Sequence, residues 1–101
     1  MTVQPMFNMY RIKNAVEAVY ELTDDRYNSE AEVRFEYVYI SELSGECTYT
    51  ITIARSVKRD DLTYKLYTKH DDKPLMTIFG CWPREFVADV FNRALQHFYG
   101  D

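Results

Sequence analysis

Between Ala31 and Phe79 the apolar residues recur at every second position, while on either side of that stretch they recur every three to four. No other feature so narrows what this chain can fold into, because the two periods belong to strands and helices respectively. Val33, Phe35, Tyr37 and Tyr39 point one way from Ala31 onward, with Glu32, Arg34, Glu36, Val38 and Ile40 on the other side, which predicts a strand. Ser44-Gly45-Glu46 reads as a tight turn into Cys47, Tyr49, Ile51 and Ile53, whose alternating partners Thr48, Thr50, Thr52 and Ala54 suit a solvent-touching face. Lys58-Arg59-Asp60-Asp61 turns the chain into Leu62, Tyr64 and Leu66, and His70-Asp71-Asp72-Lys73-Pro74 turns it into a short strand from Leu75 to Phe79.

The flanks are helical. After Asn8, a residue type suited to an N-cap, Met9, Ile12, Ala15, Val16, Val19 and Tyr20 form one dry face opposite Lys13, Asn14, Glu17 and Glu21. Val16, Ala18, Tyr20 and Leu22 also alternate, so a strand is the competing reading there. From Pro83, where a helix tolerates proline best, Phe86, Val87, Val90, Phe91, Ala94, Leu95 and Phe98 make a continuous apolar stripe, with Glu85 near the start and Gly100 as the stop. Phe86, Val90, Phe91 and Leu95 are the residues expected to bury against the sheet. The fold predicted is α+β: an antiparallel β-meander of three to four strands flanked by an N-terminal and a C-terminal helix packed on one face, in the order α-β-β-β-β-α. Residues 1–101 form a single small domain on this reading, with 1–7 as an N-terminal arm.

Composition narrows the function. A 47% hydrophobic, 28% charged chain can bury a core, and a net charge of −4 without a Lys/Arg cluster argues against direct nucleic-acid binding. Two cysteines and no long apolar run point to a cytoplasmic protein with reduced thiols and no membrane contact. Glycines at 45, 80 and 100 make no phosphate-binding loop, dinucleotide motif or nucleophile elbow.

The candidate chemistry is sparse. Cys81 precedes a helix N-terminus, where a thiol gains nucleophilicity, but it needs a base, and His97 lies sixteen residues along that helix, about 24 Å away. Asp24-Asp25, Asp60-Asp61 and Asp71-Asp72 each neighbour a basic residue and fall on different turns, as solvated turns do. His70 and His97 match no zinc spacing. The aromatic ladder Phe35, Tyr37, Tyr39, Tyr49 and Tyr64 falls on the side assigned to the helices, so it reads as core rather than as a base-stacking platform. No catalytic residue, metal site or cofactor is assigned.

What is left is surface. Val38, Ile40 and Tyr67 interrupt the polar side of the sheet and, bordered by Glu36, Lys65 and Lys69, form the expected partner-binding patch. The function expected is that of a small acidic non-enzymatic interaction protein, a protein-binding inhibitor of the phage or mobile-element anti-defence (anti-CRISPR-like) kind. Its partner would be a protein, such as a host enzyme or a nucleic-acid-binding complex, and the same face could close a homodimer. The alternative is a small-ligand or nucleotide binder using Tyr and Arg side chains, for which a pocket holding Arg55 beside tyrosine would be the mark.

Overall fold

The computed structural model describes residues 9–24, 28–41, 43, 45–58, 61–68 and 73–99. They form α1 (Met9–Asp24), β1 (Glu30–Ser41), β2 (Gly45–Lys58), β3 (Asp61–Thr68), β4 (Met76–Phe79) and α2 (Arg84–Tyr99), the α-β-β-β-β-α order read from the periodicities. The competing strand reading of the first segment fails, because Ile12, Ala15, Val16, Val19 and Thr23 are all buried on one side of α1 and only helical spacing aligns them. The N-terminal arm, Asn8 and Gly100 lie outside the described residues, as does at least one member of each turn carrying an Asp-Asp pair.

The four strands lie in chain order, every neighbour antiparallel. Ser41 pairs with Gly45 across the first turn, and Gly45 takes a left-handed backbone (φ 75°) that a side chain would disfavour. β2 runs to Lys58, beyond the alternation that ended at Ala54 in the sequence, and it pairs with all of β1 but with β3 only from Ile51 onward. The β1–β2 hairpin therefore continues past the rest of the sheet as a two-stranded ribbon.

Both helices cover one face. α1 packs on β1 and β2, while α2 packs on α1 and β4. Register sorts the residues into rows, and the helix-side rows are Ala31–Arg55–Tyr64–Ile78, Val33–Ile53–Leu66–Met76 and Phe35–Ile51–Thr68. Ile51, Ile53, Tyr64, Leu66 and Ile78 form a single core with Val87, Ala88, Phe91 and Leu95 of α2 and the buried side of α1. The α2 stripe is narrower than its sequence implies. Phe91 and Leu95 are fully buried as expected and Val90 is half-buried, but Phe86 is 44% exposed, because Val87 and not Phe86 faces inward at the first turn.

At the α1 end of the helix-side face a charge is buried. Arg55 Nη1 donates to Thr23 Oγ1, and the Thr23 hydroxyl in turn donates to the Val19 carbonyl at 2.7 Å. The guanidinium lies over the Tyr20 ring at 4.7 Å and the Tyr64 ring at 5.2 Å. Arg84, at the start of α2, lies over the same Tyr20 ring at 4.3 Å and pairs with Glu17 at 2.7 Å, so this cluster joins both helices to the sheet. Burial raises the Tyr64 phenol above its ordinary 10.0, against the opposing pull of Arg55. A raised pKa favours the folded state in full below pH 10 and progressively less above it, since the unfolded chain ionises first. Thermal stability should accordingly fall as pH rises past about 10. In a phenolate absorbance titration Tyr64→Phe should remove absorbance from the part of the curve above pH 10; a substitution that removed it at or below pH 10 would refute the assignment.

Candidate interaction surface

The uncovered face consists of the rows Glu30–Ser56–Thr63–Phe79, Glu32–Ala54–Lys65–Thr77 and Arg34–Thr52–Tyr67, then Glu36–Thr50, Val38–Thr48 and Ile40–Glu46 on the ribbon. Its centre carries small side chains and its flanks long ones, which leaves a groove of about 430 Å³ lined by Glu30, Glu32, Ala54, Ser56, Thr63, Lys65 and Tyr67. Arg34 Nε donates to Thr52 Oγ1 at 3.3 Å over one end, and Lys58 pairs with Glu30 at 3.1 Å over the other. The Ser56 hydroxyl, in the floor, is buried without a hydrogen-bond partner.

This placement divides the patch expected from sequence. Lys65 and Tyr67 are half-buried groove walls, and Glu36 is exposed one row beyond them. Val38 and Ile40 sit on the ribbon, opposite Thr48 and Glu46, where β3 has already ended. Their side chains and Lys69 lie outside the described residues. The register puts Glu36, Val38, Ile40, Lys65 and Tyr67 in rows of one face, as the alternation implies; what alternation does not show is that the third strand stops short of Val38 and Ile40. Arg55 borders the groove but sends its guanidinium through to Thr23 and Tyr20 on the other side.

A second feature lies outside the patch expected from the alternation. Phe79, Trp82 and Phe86 are 72%, 50% and 44% exposed, and the Trp82 and Phe86 rings lie 5.0 Å apart. Gly80, with φ 95°, turns the chain out of β4, and the turn brings the Trp82 indole N–H back to donate to the Phe79 carbonyl at 2.8 Å. Phe79 ends the row containing Ser56 and Thr63, so its side chain shares the face of the groove at the β4 edge. The available signal was Gly-Cys-Trp-Pro between two aromatic residues, a turn that must hold a tryptophan near the surface.

The remaining candidates stay apart. Cys81 is a free, exposed thiol and His97 is exposed farther along α2, while His70 and the Cys47 side chain lie outside the described residues. Tyr64 is core, as expected of the aromatic ladder, and Phe35 is half-buried; the Tyr37, Tyr39 and Tyr49 side chains lie outside the described residues. Among the described residues no three His, Cys, Asp or Glu side chains are placed to hold a metal ion, and no helix is long and apolar enough to cross a membrane. Comparison with protein-family models, curated proteins and solved structures finds no match.

Proposed function

We propose that this protein acts by binding another protein, with Phe79, Trp82 and Phe86 as the anchor and the adjoining groove as the polar surround. The supporting observation is that cluster. Three large rings held in water by a hydrogen-bonded turn contribute little to folding, whereas aromatic side chains, tryptophan above all, dominate the energetics of protein interfaces. Lys65, Tyr67, Glu30 and Glu32 then supply a rim that can fix orientation without adding a large apolar area. A bound protein would be inhibited by having its own site covered, the mode that fits a small anti-defence or immunity-type inhibitor. Catalysis is not part of this reading, and neither is a cofactor.

The test is affinity purification from the cells that make the protein, followed by measurement of the purified complex. Phe79→Asp should leave the melting temperature nearly unchanged, since a substitution at so exposed a position costs about 0.5 kcal/mol or less. It should weaken the partner's binding at least about tenfold, and Trp82→Ala should do the same. A partner held equally well by both variants would refute the anchor, and a complex with a small molecule in place of a protein would refute the class.

A further inference from the structure

β1 is an edge strand, and among the described residues nothing pairs with its outer side. A twelve-residue edge is a template for another strand, because alternate residues direct their N–H and C=O groups outward. Proteins blunt such edges with proline, bulges, short length or charge; β1 has no proline and its ladder to β2 runs without a bulge, so its four charges, Glu30, Glu32, Arg34 and Glu36, are what select among partners. Beside it, between α1 and the edge, lies a second groove of about 250 Å³, lined by Ala15, Val33 and Phe35 with Asn14 and Arg11, the Arg11 guanidinium lying 4.7 Å over the Phe35 ring.

From the charge order along this edge we infer that its occupant is the β1 strand of a second copy, paired antiparallel about a two-fold axis at Phe35. An axis perpendicular to the sheet keeps both helix layers on the same side, so each residue meets one from its own face. Centred on Phe35, the pairing sets Arg34 opposite Glu36 twice, Glu32 opposite Val38 and Glu30 opposite Ile40. Moving the centre to Arg34 brings two arginines together and Glu32 against Glu36; moving it to Val33 opposes Glu30 and Glu36, and moving it to Glu36 opposes two glutamates. The Phe35 register alone gives attractive pairs with no like charges opposed. It also brings Phe35 up to Phe35 of the second copy and Val33 to the level of Tyr37, so the two lateral apolar grooves become one shared layer. The eight-stranded sheet so formed leaves both β4 edges free, and with them both aromatic clusters.

Sedimentation equilibrium on the full chain tests this. The protein should be a dimer at about 100 μM, within reach of an ordinary two-fold interface. Arg34→Glu and Glu36→Arg each convert two attractive pairs into two repulsive ones and should weaken dimerisation at least about tenfold. The two variants mixed in equal amounts should dimerise again, because each then supplies the charge that the other needs. In the unmodified protein, hydrogen exchange at alternate β1 amides should slow as concentration rises. A wild-type monomer, a dimer indifferent to either substitution, a mixture that stays monomeric, or β1 exchange independent of concentration would each overturn the proposal.

Discussion

Phe91→Ala should cost about 3–5 kcal/mol, the range for emptying a buried aromatic site. Phe91 is the largest fully buried side chain among the described residues, set among Val87 and Leu95 of its own helix and the core of sheet and α1. The surround cannot collapse easily, because α2 is tied at its start by Arg84 to Glu17 and Tyr20. For a domain of this size the loss corresponds to a melting temperature lower by upwards of about 12 °C, and it approaches the whole stability of a marginal fold, about 5 kcal/mol. Phe91→Leu, which keeps most of the volume, should cost less than half as much. Urea denaturation monitored by circular dichroism provides the measurement, and a Phe91→Ala loss below about 1 kcal/mol would show that the core lies elsewhere.

The second large effect concerns Arg55. Arg55→Ala should cost about 2–4 kcal/mol, since it removes the bond to Thr23 and the packing against Tyr20 and Tyr64 together. Arg55→Met should retain most of the stability. Its unbranched chain can fill the space between the rings, Thr23 still donates to Val19, and no carboxylate among the described residues is left without its partner. Arg55→Lys should be worse than Arg55→Met, because a compact, strongly hydrated ammonium cannot stack as a guanidinium does. If methionine proves as damaging as alanine, the charge and not the packed side chain holds this end together. The same pair of variants addresses the small-ligand reading, in which Arg55→Met would fold normally and yet lose an anionic ligand.

Much of the architecture was legible because each element carried its own period. Ile12, Ala15, Val16 and Val19 could share a face only in a helix, and Val33 with Phe35 only in a strand. What failed was lateral detail. The α2 stripe spans enough of the helix circumference that spacing alone cannot say whether Phe86 or Val87 points inward; α1 and β4 decide it. The end of β2 is hard to read because a charged residue marks the end of a buried row, and nothing in the neighbourhood of Arg55 announces rings at Tyr20 and Tyr64 waiting to receive it. Lys65 and Tyr67 were identified as surface of interest from alternation, whereas the Phe79–Trp82–Phe86 cluster depends on a glycine turn and on the first turn of α2 acting together. The first is a property of one strand and can be seen in sequence; the second is a property of three-dimensional proximity.

The pairing of α1 with α2 has a consequence for biosynthesis. The helices that close the core are separated by about 60 residues, so at ~5–20 residues per second the ribosome needs roughly 3–12 s to supply the second after the first. Through that interval the hairpins can form from local contacts, but the helix side of the sheet has only α1 to shield it. Chains still attached to the ribosome should therefore be open to chaperones and proteases until α2 emerges, and cooperative protection should arrive in a single late step.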